Sequence, residues 1–412
     1  MKILLVEPSF PLSAKSRNHK DFLPIGLLKI GAMYQAKGHE VKLIRGESTK
    51  KAILKIGNGN WHKPDIIMIT SLFTYWKEHV VKSVEHYRKL YPLVKIVVGG
   101  IYASLMKNDC EKINGVDKVW VGIHPEAEKY KPAYHLIEQN PHPLDYQILH
   151  TSRGCTRKCD FCGTWKIEPN FNSKSSIKDN IFKRKLVFYD NNLLMNPNIE
   201  NILNELIELK KSGKIRWCES QSGFDGRIIE EKPYLAHLLK RAGFKNTRIA
   251  WDGHFREYNR IKKQLDIMAD AGYNYKDIYV FVLYNWKIAF EEMELKRIKC
   301  WGWNVQVADC RFRPLDMVFD KYNPSKKQQS SQEYYIHETW NDSLIRQFRK
   351  NVRRHNICVR QNLKFYSKMF ERKKADKEII QKTKIVSRNE LEKLLTKKNI
   401  DFWFPEKITY PD

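Results

Sequence analysis

The chain has 412 residues, 42% of them hydrophobic and 12% aromatic, which is enough for well-packed cores and excludes a disordered composition. Its formal net charge of +27 favours polyanionic partners or is simply a solvated basic surface. No apolar run reaches the roughly 20 residues that span a bilayer and no signal peptide is read. The eight cysteines, three clustered and five scattered (Cys110, Cys218, Cys300, Cys310, Cys358), do not form a secreted disulfide framework, so a reducing cytoplasm is expected.

An apolar run at 2–6 stops at Glu7 and Pro8 and reads as a first buried strand. After a Pro-containing loop, a helix is expected over 25–37, with Leu27, Leu28, Ile30, Met33 and Tyr34 at helical spacing and Gly38 as its stop. Further strands are expected at 41–45, 65–71, 95–99 and 116–121, and a helix over 77–90. Apolar strands alternating with helices predict an α/β fold, a Rossmann-like doubly wound parallel sheet over residues 1–130. Gly99-Gly100 at a strand end permits close approach of a ligand, or is only a tight turn. Residues 131–147, punctuated by Pro132, Pro141 and Pro143, read as a linker.

Residues 151–165 read TSRGCTRKCDFCGTW, with Cys155, Cys159 and Cys162 at spacing C-x3-C-x2-C. Three thiolates in one loop point to a metal or iron–sulfur site, and a [4Fe–4S] cluster held by three of them leaves one iron open to a ligand. A zinc knuckle completed by His150 is the alternative, but zinc sites space their cysteines in two pairs and no second pair exists here. The motif, with Phe161 before the third cysteine and Arg153-Gly154 as its lead-in, resembles the signature of the radical S-adenosylmethionine (radical SAM) superfamily. The resemblance implies that the three cysteines hold the cluster and that the open iron chelates S-adenosylmethionine. The reduced cluster would then cleave it to a 5′-deoxyadenosyl radical that modifies a substrate. It also counts Phe161 among the cofactor-binding residues and implies an electron donor such as flavodoxin or ferredoxin.

The N-terminal segment is similar to the cobalamin-binding domain upstream of many members of that superfamily, in 2–8, in Pro24-Ile25-Gly26-Leu27, in Gly38-His39-Glu40-Val41 and in Val97-Val98-Gly99-Gly100. Cobalamin is thereby implied as a further cofactor, and methylation of an unactivated carbon as an outcome; without it, other radical reactions stay open. The D-x-H-x-x-G motif whose histidine ligates cobalt in many such domains is not found. His19, in Arg17-Asn18-His19-Lys20-Asp21, reads as a solvated loop histidine, so binding without a histidine on cobalt is expected.

Strands at 148–152, 186–190, 216–221, 247–252, 278–283 and 304–308, with helices at 198–212, 232–242, 255–271 and 289–301 (the last ended by Gly302), fit a partial (β/α)6 barrel over residues 148–320, the radical SAM fold. The resemblance assigns Asp190 and Asn191 to the methionyl amine, with a helix cap as the alternative. It puts Ser222 among the polar residues after the third strand, Arg227 at the methionyl carboxylate and Asp252 at the ribose hydroxyls. An ordinary ion pair is the alternative for Arg227. Trp286, Arg311 and Arg313 are expected at the barrel mouth. Cys310 is a hydrogen-atom donor, an extra cluster ligand or, most commonly for an isolated cysteine, a packed small residue, and no auxiliary cluster is expected.

Residues 321–412 are expected to be basic and helical. After a polar, mobile loop at 324–332, a helical stretch over 333–374 interleaves Arg346, Arg349, Lys350, Arg353, Arg354, Arg360 and Lys364 with Trp340, Phe348, Phe365, Tyr366 and Phe370. That pattern is a phosphate-tracking, base-stacking surface or an amphipathic helix docked on the barrel, and docking is favoured. A short helix at 388–398 and a tucked tail at 402–405 complete the chain. The reading is thus a radical SAM enzyme acting on a small-molecule or nucleotide-linked substrate. The alternatives are a methylthiotransferase-like enzyme modifying tRNA or DNA, and a non-catalytic zinc- and nucleic-acid-binding protein.

Overall fold

The computed structural model describes residues 1–11, 23–55, 61, 63–137 and 144–363. The first unit is built from β1 (Lys2–Glu7), α1 (Ile25–Ala36), β2 (Glu40–Arg45), α2 (Lys50–Lys55), β3 (Ile66–Ser71), α3 (Lys77–Leu90), β4 (Lys95–Gly100), α4 (Ile101–Leu105), α5 (Lys107–Glu111) and β5 (Lys118–Val119). All five strands pair in parallel in the order β2-β1-β3-β4-β5. Ile3, Leu4, Leu5 and Val6 of the central β1 are fully buried, as a strand covered on both faces requires. One face of the sheet is sealed by α3 through Val80, Val84 and Tyr87, which recur at helical spacing. The other face is covered by α1 over β1, but beside it Ile66, Met68 and Thr70 of β3 stay half-buried. No described helix follows β5 to cover them, because the chain turns instead through 3-10 turns at 127–129 and 134–136. The fifth strand, expected over six residues, is only two residues long.

The second unit continues with β6 (Tyr146–Leu149), β7 (Ser152–Arg153), α6 (Thr164–Ile167), β8 (Asn172–Ser173), β9 (Lys185–Phe188), α7 (Ile199–Lys211), β10 (Trp217–Ser220), α8 (Gly226–Glu231), α9 (Tyr234–Ala242), β11 (Arg248–Ala250), α10 (Tyr258–Asp270), β12 (Tyr279–Tyr284), α11 (Phe290–Gly302), β13 (Gln306–Arg311) and α12 (Asp342–Gln361). Two parallel three-stranded sheets, β10-β9-β6 and β11-β12-β13, are joined by the isolated parallel bridges Cys218–Phe244 and Phe224–Ile249. Six strands therefore curve in sequence order, and the outer two, β6 and β13, do not pair with each other: the barrel is partial and open. Leu186, Phe188, Cys218, Ile249, Val280, Val282 and Val307 face the helices. Tyr146, Ile148 and Val187 point the other way and share one core with Ile3, Leu5, Leu28, Tyr134 and Leu136, which welds the barrel to the first unit.

Several boundaries move for identifiable reasons. The first barrel strand ends at Leu149, and residues 152–153 instead pair antiparallel with 172–173. The helix expected over 232–242 starts at Tyr234, and a further short helix, α8, precedes it, the two separated at Pro233, which lacks the N–H that would continue α8. Gly302 remains inside α11, and the left-handed residue that turns the chain is Asn304, at φ 57°. The helix expected from 333 starts at Asp342, where the Asn341 side chain accepts the Leu344 N–H at 2.9 Å. The loop at 324–332 is pinned rather than free: Gln329 is 5% exposed and bonds to the Lys321 carbonyl and the Glu333 carboxylate. No described helix is long and apolar enough to cross a membrane.

α12 docks on the barrel through Ile345, Phe348, Val352, Cys358 and Val359. Its Asn356 amide accepts the Val307 N–H at 2.8 Å and donates to the Val307 carbonyl at 2.7 Å, closing part of the open edge of β13 as a strand would. His355 is fully buried and donates Nε2–H to the Val305 carbonyl at 2.7 Å. Burial, then the nearby Arg297, push its pKa down to about 3. The unfolded chain takes up this proton near pH 6.5 and the folded one does not, so stability is lost as pH falls through 6.5, by about 1.4 kcal/mol per unit. Urea midpoints at pH 7 and pH 5 measure this, and His355→Gln is expected to flatten the dependence. The base-stacking reading fails at two positions, since Trp340 and Phe348 are buried in the barrel core. Lys364, Phe365, Tyr366, Phe370 and the elements expected at 388–398 and 402–405 lie outside the described residues.

Candidate metal centre and adjoining cavity

A buried carboxylate anchors the start of the cysteine loop to the end of β9. Asp190, fully buried just past β9, accepts the Thr151 and Ser152 N–H groups at 2.9 and 2.6 Å and their hydroxyls at 2.6 and 2.8 Å. All four partners donate, and a carboxylate only accepts, so the ionised form fits although burial pushes the carboxyl up. The Asp190 carboxylate is thus engaged within the protein, with neither side-chain oxygen exposed to a ligand. Farther on, Gly154 sits at φ 80°, where an added Cβ would lie 2.5 Å from the Asn170 carbonyl oxygen. Its N–H donates to Glu168 at 2.7 Å.

Cys155, Cys159 and Cys162 are half-buried free thiols. The Cys162 N–H closes a turn onto the Cys159 carbonyl at 3.0 Å, and the Trp165 indole donates to the same oxygen at 3.2 Å. Burial raises the Cys159 thiol, followed by the Asp252 carboxylate and the other two thiols, so the three sulfurs share one electrostatic neighbourhood. Among the described residues no three His, Cys, Asp or Glu side chains gather closely enough to hold a single ion. His150 does not complete the set: it is 7% exposed and lines a cavity with Tyr189 that the cysteines do not line.

The remaining expected residues surround the loop. Phe161 meets Trp286 edge-on at 5.4 Å. Asn191 accepts from Thr164, itself 3.3 Å from the Cys162 sulfur, and donates to Glu168 at 3.0 Å. Ser222 donates to the Asp190 carbonyl at 2.7 Å. Arg227 forks onto Asp225 at 2.8 and 3.0 Å, so its ion-pair alternative is realised. Asp225 also accepts from Arg157 of the cysteine loop at 2.9 Å and from Asn192 at 3.2 Å, making it a hub that spacing did not suggest. Asp252 is half-buried and makes no hydrogen bond among the described residues; burial raises its carboxyl against the pull of Lys296 and Arg227. Arg311 and Arg313 both close on Asp320 rather than standing free. Cys310 is exposed rather than packed away.

Against the uncovered face of β3 and β4 lies a mostly apolar cavity of about 470 Å3. Leu27, Met68, Val97, Gly99, Gly100, Trp120 and His124 line it from the first unit, and His150, Arg153, Glu168 and Tyr189 from the second. Gly100, at φ 99°, admits no side chain, since a Cβ would lie 2.1 Å from the Ser71 carbonyl oxygen. The Trp120 indole N–H is buried in this wall without a partner, a donor that a bound polar group would satisfy.

Residues 17–129 match the B12-binding domain family. A B12-binding-type domain is thus followed by a partial parallel barrel. Among solved structures it resembles the cobalamin-dependent S-adenosylmethionine radical enzyme OxsB. The apo form matches at 14% identity over 73% of this chain and 51% of that one, TM-score 0.47. The form with aqua-cobalamin and S-adenosylmethionine bound matches at 13% identity over the same shares, TM-score 0.45. The chain thus spans about half the length of that enzyme. No curated protein matches it.

The B12-binding-type domain is tied to the cysteine loop by charge. Lys29 of α1 reaches Glu128 at 2.6 Å, Glu128 takes Arg153 at 2.7 Å, and Arg153 reaches Glu168 at 3.3 Å. Lys29 is lowered to about 8, first by burial and then by Arg153, so Glu128 offsets two crowded cations. Glu128→Ala leaves both unpaired and is expected to cost about 2–3 kcal/mol, less than a fully sealed pair because Glu128 keeps some solvent contact. Urea unfolding measures it, and a loss under about 0.5 kcal/mol would mean that water already screens the cluster. Nothing in sequence spacing marked Glu128 or Glu168: Glu128 meets Lys29 and Arg153 from far along the chain, and Glu168 meets Arg153, Gly154 and Asn191 by the folding back of the cysteine loop.

Proposed function

We propose that the chain is a radical SAM enzyme that binds a [4Fe–4S] cluster, S-adenosylmethionine and a corrinoid, and that it modifies an as yet unidentified substrate. The observation that carries this reading is the three-thiol loop, directly after the first barrel strand and tied by Arg153 to the wall of the B12-binding-type cavity. Cys155, Cys159 and Cys162 would hold the cluster. When bound and reduced, the cluster supplies the electron that cleaves S-adenosylmethionine. The corrinoid supplies a methyl-carrying metal, which makes methylation the favoured outcome.

The chain's own part is binding, orientation and shielding. Arg157 and Arg227 bring positive charge beside the thiols, and Asp225 fixes both guanidiniums. Arg227 has one guanidinium nitrogen left over for a carboxylate. Asp252, without a hydrogen bond among the described residues, can accept from ribose hydroxyls, and Asn191 and Ser222 would order the backbone around the cofactor. Phe161 and Trp286 exclude water from one side. An oxygen-sensitive cluster and eight unpaired cysteines suit the cytoplasm, with a flavodoxin or ferredoxin as electron donor.

Anaerobic reconstitution with iron, sulfide and aquacobalamin tests the reading. About four irons and a stoichiometric corrinoid retained per chain after gel filtration are expected. One zinc and no iron would overturn it in favour of a zinc-binding protein.

A further inference from the structure

His150 is the side chain that the cluster and the barrel leave unexplained. It lies at the end of the first barrel strand, 7% exposed. It makes no hydrogen bond among the described residues, where buried imidazoles ordinarily find a partner. Cavities of about 470, 250 and 600 Å3 meet at the domain junction, and His150 and Glu128 line all three. An unpartnered nitrogen in the wall of a B12-binding-type cavity is placed to meet whatever fills it.

We propose that His150 donates an imidazole nitrogen to the cobalt of a corrinoid bound in this cavity, so that the axial ligand comes from the barrel. The inference rests on the corrinoid reading above, and it reverses the expectation of binding without a histidine that followed from the missing D-x-H-x-x-G motif. The bond is dative: the nitrogen lone pair enters an open cobalt position and no proton is displaced, provided the ring is neutral. Burial, followed by the positive charges of Arg153, Lys29 and Lys174, keeps it so, holding its pKa well below the ordinary histidine value. His124 lines the same cavity, but its ring stacks on Trp120 at 4.5 Å and its Nδ1 already accepts the Ala127 N–H at 3.3 Å.

Cobinamide lacks the nucleotide base of cobalamin, so any axial nitrogen must come from the protein. The reconstituted full chain is loaded with cob(II)inamide and its paramagnetic resonance spectrum recorded. Each cobalt line is expected to split into a triplet, which becomes a doublet in protein labelled with [15N]histidine and an unsplit line in His150→Ala. The labelling needs no variant, so it stands even if His150→Ala folds poorly. Unsplit lines in the bound wild type overturn the inference while leaving the corrinoid reading intact. Splitting that survives in His150→Ala, or that is lost in His124→Ala or His19→Ala instead, also overturns it. Failure of the chain to retain any corrinoid overturns the cofactor reading itself, and the inference with it.

Discussion

Cys159→Ala is expected to reduce 5′-deoxyadenosine formation from S-adenosylmethionine to background and to strip most of the iron from the reconstituted protein. The Cys159 thiol is felt by both Asp252 and Arg227. With three protein ligands, removing one leaves two, too few to hold a cube that already has an open corner. Iron deprotonates a coordinating thiol outright, so the raised pKa of the free Cys159 does not oppose binding. Cys310→Ala and Cys218→Ala are the controls. Cys218 is buried against the helices with its sulfur on the Ala242 carbonyl, and Cys310 stands apart in the open part of the barrel. Both variants are expected to keep their iron, and a loss of iron in Cys310→Ala would make that thiol a fourth ligand.

Asp190→Ala is expected to destabilise the fold by about 3–5 kcal/mol, the range seen when a buried carboxylate that satisfies several donors is removed. The Thr151 and Ser152 N–H groups and hydroxyls would be left without their acceptor. The start of the cysteine loop would then lose its anchor to β9. The denaturation midpoint should fall with an unchanged m-value. If Asp190 instead served the ligand amine, the variant would fold as stably as wild type and only S-adenosylmethionine affinity would drop. The two outcomes separate a clasp from a contact residue.

The framework was legible because burial on both faces forces apolar runs: β1 with Ile3, Leu4, Leu5 and Val6, and the strands of the barrel, could hardly be read otherwise. The helix over Lys77–Leu90 fell where its spacing put it. The cysteine motif was legible because its ligands are local in sequence. What stayed hidden depends on partners far apart in the chain. Asp190 looks like any strand-end carboxylate until Thr151 and Ser152 close on it. Arg227 looks free until Asp225 is seen beneath it, and Glu128 lies at the very end of the first expected domain, in no expected strand or helix. His150 read as a spare zinc ligand because it precedes the cysteines, yet its ring lies in a different cavity. The cavity arises where no helix follows β5, and a missing element leaves no pattern to read.

The central claim is that the three thiols carry a cluster with an open iron that S-adenosylmethionine occupies. The most direct measurement is the paramagnetic resonance spectrum of the anaerobically reconstituted, dithionite-reduced protein, recorded before and after S-adenosylmethionine is added. The account predicts a reduced [4Fe–4S] signal that changes shape on addition, with 5′-deoxyadenosine released on turnover. A signal indifferent to S-adenosylmethionine, or a protein holding zinc with no iron signal at all, would contradict it.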